Sequence, residues 1–592
     1  MSIHKNAGIV ILGFIGLALV FASGACKRAE TADLVLINGD VWTAESDIPR
    51  GAGLAIKNGL ILAVLQSDRE AKRYSGPETE ILDLKGGWAV PGIIDGHVHF
   101  NNAGALINDA NLMTVADEDG LRAEIGRVAR SLDAGEWITG GLWGAYEQWA
   151  LGDTGADAAD RREPWRPHRR MIDDLTPDKP AFLCRFDYKE WLANSAALAA
   201  AGLENARPAG MEIGPDGKPT GVIFRPSPAF DRVTKARAPK SKARLLEENR
   251  AALQALREAG IVEIHDIATP DQTERFIELE DNGELTVRVW LRPDLSRGAA
   301  LGAEGFTMGL HPKTRQPSSM LRYGALKGYI DGIMGTHGAL FFEPYDDQPD
   351  NFGHWRPHTS DDPQLRAGNM EKMYGLVKAG LDAGFVPNVH AIGDRGVAEM
   401  LDFYERLKDE GIDLTGFRVI HAQVIRPQDF PRFKELGVIA EVNPYHISDD
   451  MRWMEERIGH ERCKGAYAFR SLIDNGAVLS FGSDWPGTSA ALYHVHPKYL
   501  IYAAVTRQTL TGAPEGGWFP EQRITVEEAL RAYTINNAYA TFEDDVRGSI
   551  KAGKYADVTV FDRNLLEIPA ADILKAEVTH TIVDGRVVFS RD

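Results

Sequence analysis

Two histidines one residue apart, His97 and His99, follow the segment Pro91-Gly-Ile-Ile-Asp-Gly96. In an extended strand that spacing turns both imidazoles to one face. Neutral imidazoles are good ligands for zinc and its neighbours. Further along, Lys327, His390, His421 and Asp484 each follow or close another short apolar segment. Polar groups at buried strand ends are costly unless they are paired or hold a metal, so five such ends point to a shared site for a divalent cation. The histidine pair alone is a weak signal. With 16 His in the chain, chance supplies about 0.4 such pairs, and His494-Val-His496 is a second one. That pair has no strand signal before it and precedes Pro497, so the first pair is the candidate.

Elements of a regular kind must carry these residues. Apolar segments recur at Trp88–Ile94, Ile261–Ile264, Leu321–Ile330, Phe385–Val389, Phe417–Ile420, Val438–Val442 and Val478–Phe481. Helical stretches such as Ala243–Ala259 and Asn369–Ala383 lie between them, and Gly260 and Gly384 read as caps feeding the next strand. Strand–helix alternation at this length predicts a parallel sheet, most economically a (β/α)8 barrel over residues 90–545, whose C-terminal strand ends gather catalytic groups. Residues 101–237 exceed what one β/α unit needs and read as an insertion. The flanks differ. Residues 33–89 and 546–592 are rich in short strands, with hairpin signals at Asn38-Gly39 and Asp584-Gly585, so the two chain ends are expected to meet in one small β domain.

The first residues read as an address. Lys5 precedes an uncharged, strongly apolar run that closes on Ala22-Ser-Gly-Ala25, the pattern of a secretory signal over residues 1–25. Cys26 follows directly, as at a bacterial lipoprotein processing site, although Ser23 stands where Leu is usual. Export to the periplasm, or anchoring to a bacterial membrane through lipidated Cys26, is the expectation; an uncleaved membrane anchor is the alternative. The formal charge of −19, from 66 basic and 85 acidic residues, argues against nucleic acid as a partner. Three cysteines are too few for a disulfide framework. A small molecule is the expected substrate, and no feature specifies an oligomeric state.

Pro91-Gly-Ile-Ile-Asp-Gly-His-Val-His99 resembles the opening metal motif of the amidohydrolase superfamily. Lys327-Gly-Tyr-Ile-Asp-Gly332, Val389-His-Ala-Ile-Gly-Asp394, Ile420-His-Ala-Gln423 and Gly482-Ser-Asp-Trp-Pro486 resemble its later motifs. The wording is nearest to the amidohydrolase family 3 branch, which includes N-substituted formamide deformylases, and Ala503–Arg507 and Gly548–Val558 also fit. The resemblance implies a distorted TIM barrel with a composite β-sandwich domain and one or two divalent ions, with zinc expected. It implies that His97 and His99 bind the more buried ion and that His390 and His421 bind the second. Asp484 would bind metal and take the proton of the attacking water. Lys327 would bridge two ions as a carboxylated lysine, since a free ammonium beside two cations would be repelled.

The chemistry implied is hydrolysis of an amide-like, non-peptide C–N bond, such as an N-acyl or N-formyl amine, by activated water. Two other readings stay open: an exported metal- or solute-binding lipoprotein on an inactive barrel, and hydrolysis of a different bond at the same site. Several further residues have more than one reading. His265-Asp266 would line the pocket or hold a strand end. Arg507 would meet a substrate anion or pair with an acid. Trp143, Tyr146, Trp149 and Trp165 would wall the barrel mouth or pack the insertion on its host.

Overall fold

The computed structural model describes residues 30–144, 166–356, 363–488 and 491–591. Nine short strands carry the middle of the chain. Four form one sheet in the order β4-β3-β2-β1: β1 (Ile93–Val98), β2 (Ile261–Asp266), β3 (Arg288–Leu291) and β4 (Leu321–Tyr323). Five form another in sequence order: β5 (Leu326–Tyr329), β6 (Pro387–Ala391), β7 (Arg418–His421), β8 (Ile439–Val442) and β9 (Leu479–Phe481). Every neighbouring pair in both sheets is parallel. These strands are buried along nearly their whole length, as a sheet covered on both faces requires.

Backbone hydrogen bonds cross both seams between the sheets. At one seam the Lys327 amide donates to the Pro293 carbonyl at 2.8 Å. At the other, the Asp484 amide donates to His97 and the His99 amide to Trp485, each at 2.8 Å. Only Gly324 and Ala325 separate β4 from β5, and the bend needs the glycine: a Cβ at residue 324 would lie 2.0 Å from the Trp290 indole nitrogen. The helices expected outside the strands are there. Lys242–Glu258 is capped at its start by Ser241, and its chain reverses at Gly260, where φ is +81°.

Both chain ends contribute to one six-stranded sheet, in which Val558–Phe561 pairs antiparallel with Trp88–Pro91. A four-stranded sheet built from Leu34–Ile37, Gly53–Lys57, Leu60–Leu65 and Glu80–Asp83 packs beside it. Leu36, Leu54, Ile56, Val41, Val558 and Ile582 share one apolar core across the two sheets. The hairpin expected across Asn38-Gly39 is not formed. Leu34–Ile37 pairs with Gly53–Lys57 and Glu80–Asp83, whereas Asp40–Trp42 pairs in the other sheet, so this turn carries the chain from one sheet to the next. Long-range pairing outcompetes a two-residue turn whose flanking strands have better partners. At Asp584-Gly585, by contrast, the hairpin forms, with Val583 opposite Arg586 and φ positive at both turn residues.

Between Asn108 and Pro228 the chain builds its own six-stranded sheet, running from Ala110–Asn111 to Pro219–Phe224, with two apolar cores. Trp143 is buried in one of those cores rather than facing a barrel mouth. Tyr146, Trp149 and Trp165 lie outside the described residues, as do the apolar leader and Cys26. Helix Phe100–Asn108 belongs with the helical layer instead, since Gly104 lies flush on the backbone of Glu248.

Candidate metal centre

The ends of β1, β6 and β7 and the segment after β9 carry His97, His99, His390, His421 and Asp484, whereas Lys327 is the second residue of β5 rather than its end. Asp484 lies at the middle of the cluster. Its Oδ1 stands 3.1 Å from His99 Nε2 and 3.5 Å from His97 Nε2. The His97 ring centroid is 5.2 Å from that of His421, which in turn lies 4.5 Å from that of His390. Two of these positions use backbone that side-chain-bearing residues rarely adopt: φ is +71° at His421 and +57° at Asp484. Such residues cost on the order of 1–3 kcal/mol each. Here that cost turns a side chain inward at the point where its strand ends.

Each imidazole is oriented from behind. His97 Nδ1 lies 2.7 Å from Glu441 Oε1 on β8, and His421 Nδ1 lies 2.7 Å from Asn443 Oδ1 just past the same strand. These contacts leave the Nε2 atoms facing the cluster. His390 differs: its Nε2 lies 3.4 Å from Asp331 Oδ1 and 3.5 Å from the Gly332 carbonyl. Asp331 is itself pinned by the backbone amides of Leu340, Ile392 and Gly393 at 2.9–3.1 Å. Asp95 accepts from the amides of His97 and Ser483, tying the end of β1 to the segment that carries Asp484.

Burial decides the charge states. It holds the His97, His390 and His421 imidazoles well below their ordinary range, and the Lys327 charge pushes His97 and His390 further the same way. Burial opposes ionisation of Asp484, but the hydrogen bond from His99, together with the other imidazoles around it, outweighs that and holds the carboxyl well below its usual value. Burial also brings the Lys327 amine down to about 7, against the pull of Glu441. Neutral imidazoles around an ionised carboxylate are the donor set that a divalent ion of the zinc type takes. One further atom fits this reading. His446 Nε2 is buried, lies 3.6 Å from Asp484 Oδ2, and has no hydrogen-bond partner among the described residues.

A family model described as the amidohydrolase family matches residues 80–589. The chain belongs to the amidohydrolase family. Protein LONG AFTER FAR-RED 3 of Arabidopsis thaliana is 31% identical over 579 residues, covering 94% of this chain and 92% of that one. The N-substituted formamide deformylase of Arthrobacter pascens is 26% identical over 575 residues, covering 94% and 98%. Among solved structures, an uncharacterized metal-dependent hydrolase from Pyrococcus furiosus matches with a TM-score of 0.69 and 24% identity. It covers 90% of this chain and 100% of its own, and the likeness is one of fold.

In this amidohydrolase a buried layer of charge supports the site that sequence reasoning missed. Glu441 accepts from Arg292 at 2.6 and 2.9 Å and from Arg418 at 2.9 Å, all of them fully buried. The signal was present: a lone Glu inside the apolar run Val438–Val442. His265 sits in this layer rather than in the site, between Arg292 and Arg418, and burial pushes its imidazole down to about 3. Asp266 accepts from the amide of Phe100, so it holds the chain after β1. Among the described residues Arg507 forms no ion pair with an acid. Its guanidinium donates to the carbonyls of Trp518, Tyr467 and Ala466. His494 stacks on Tyr499 and His496 meets that ring edge-on, and neither joins Asp484 in a metal-capable group among the described residues. His446 was also missed, because it stands four residues beyond its strand in Asn443-Pro-Tyr-His446 rather than at the strand end.

Proposed function

We propose that this protein is a metal-dependent hydrolase that cleaves a non-peptide, amide-like C–N bond, such as that of an N-acyl or N-formyl amine. The observation that carries the reading is the meeting of the ionised Asp484 carboxylate with the imidazoles of His97 and His99, nearly 400 residues away in sequence. On this reading the two parallel sheets form one distorted, closed (β/α)8 barrel, and the two end sheets form a composite sandwich. Kinship with a formamide deformylase supports C–N chemistry.

His97, His99 and Asp484 would hold one divalent ion, zinc by donor type, and Lys327, His390 and His421 would hold a second. A bound ion supplies Lewis acidity, lowering the pKa of water and polarising a carbonyl oxygen. Asp484 accepts the proton of the attacking water and passes it to the leaving nitrogen, which departs as a neutral amine. Glu441 fixes the His97 ring through Nδ1, so that ring cannot rotate away. Lys327, with an amine brought to about 7, is in part a free base at neutral pH and so able to take up carbon dioxide as a carbamate. The pattern over residues 1–26 supports export and lipid attachment at Cys26 as the setting for this activity.

Asp484→Asn tests the assignment. The variant is expected to keep at least one bound ion by elemental analysis and to lose hydrolysis of N-formyl and N-acyl amines by at least ~100-fold, the scale of a general base. Full activity in the variant would remove the role given to Asp484.

A further inference from the structure

His446 has no part in the residue set argued so far, yet it is built into the same cluster. It begins the short helix His446–Asp450, directly after the Asn443-Pro444-Tyr445 turn that follows β8. Its ring packs at a tilt against Tyr493 at 4.1 Å between centroids and sits 6.1 Å from the ring of His421. Its Nε2 edge faces Asp484 Oδ2 at 3.6 Å. His446 is 95% buried, being 5% exposed, and its inward Nε2 is without a hydrogen-bond partner among the described residues. An imidazole nitrogen left unpaired in a buried site costs roughly 1–3 kcal/mol. Evolution of a packed interior removes such a cost unless something occupies the gap.

The geometry around the gap is that of a ligand set. One ligand atom each from His421, His446 and Asp484 fall within 4.8 Å of one another, as do those of His97, His99 and Asp484. Asp484 presents Oδ1 to the first pair and Oδ2 to His446, so its two oxygens serve two different groups. Asn443, which bonds His421 Nδ1, directs His421 Nε2 to the same space and is itself held by a bond to the Gly482 carbonyl at 2.9 Å.

We propose that His446 is a ligand of the second divalent ion, completing with His421 and Asp484 Oδ2 a three-donor face on the side opposite His97 and His99. This rests on the metal-dependent reading given above and adds a residue to it. Zinc bonds to imidazole nitrogen and carboxylate oxygen are about 2.0–2.2 Å, a reach that these three donors, within 4.8 Å of one another, can share.

The test uses the full-length chain, stripped with a chelator and reloaded with zinc. Elemental analysis counts the ions, and a competing chromophoric chelator reads their affinities. His446→Phe keeps a ring against Tyr493 and removes the donor. Wild type is expected to bind two ions. The variant is expected to keep the first and to bind the second more than ~100-fold more weakly, beyond the ~10–100-fold that loss of an outer positioning group costs. A second ion bound within ~100-fold of wild type would overturn the assignment, as would a wild type that binds only one. A wild type that binds none would instead overturn the metal-dependent reading itself. Should His446→Phe not fold, anomalous scattering from zinc-loaded wild-type crystals decides: a peak at bonding distance from His446 Nε2 supports the assignment, and its absence there overturns it.

Discussion

Glu441→Gln is the substitution for which this structure makes the sharpest demand. The carboxylate is fully buried and takes four short contacts: two from Arg292 at 2.6 and 2.9 Å, one from Arg418 at 2.9 Å and one with His97 Nδ1 at 2.7 Å. Gln keeps the shape but removes the charge, leaving two guanidinium groups buried without it. Removing one partner of a buried ion pair costs about 3–5 kcal/mol, chiefly because the other charge is left uncompensated. The effect on the site is separable from that loss. A group that orients a ligating histidine contributes about 10–100-fold in metal affinity, or roughly 1.4–2.7 kcal/mol. Two measurements follow: denaturant titration of the metal-free protein, and zinc competition with a chromophoric chelator. Glu441→Gln is expected to be strongly destabilised and to bind zinc at least ~10-fold more weakly. A variant with wild-type denaturation and wild-type zinc affinity would refute the idea that this buried carboxylate holds His97 for a ligand.

His265 offers a pH test away from the metal. Burial lowers its folded pKa from 6.5 to about 3, so the unfolded chain binds the extra proton between those limits. Its contribution to stability is present above pH 6.5 and is lost as pH falls towards 3, at about 1.4 kcal/mol per pH unit. Denaturation curves collected from pH 7 to 5 should therefore be flatter for His265→Gln than for wild type by about one proton, and parallel curves would contradict this. Lys327→Ala is expected to lower the zinc count from two to one, and 13C-labelled bicarbonate should give wild type, but not the variant, a carbamate carbonyl signal by NMR. A zinc count indifferent to the substitution would remove the bridging role.

The alternation of apolar segments and helices made the parallel sheets legible, because a strand covered on both faces must be apolar along its length while the helices outside it need caps. The residues at the strand ends were legible for the complementary reason: a charged or imidazole side chain interrupting such a pattern has to be explained. His446 was not, since it lies in a turn and its approach to Asp484 depends on how the chain folds after Pro444. The chain-end pairing at Asn38-Gly39 was misread because a turn dipeptide reports local preference only, and the strands on either side bond to segments up to about 50 residues away in sequence. Glu441 was visible as a charge in an apolar run, but its partners Arg292 and Arg418 come from two other strands, and no local pattern joins them.

The floor beneath the site departs from an ordinary core between parallel strands and their helices, which is apolar. Here Glu441 joins Arg292 and Arg418, His265 bridges from those to Glu263, and Glu263 bonds Arg322 at 2.7 Å and Arg547 beyond it. A chain of buried charge therefore runs from His97 to the opposite end of the strands, where Arg322 also meets the partly exposed Glu543. Apolar residues of the same volume would often serve stability as well or better, so stability alone does not account for it. A floor of buried, clamped ion pairs does two things that apolar packing cannot. It fixes the tautomer and tilt of His97 through a carboxylate that is itself clamped on both sides. It also surrounds a cationic site with groups that are already paired, so that binding an ion leaves no buried charge to reorganise.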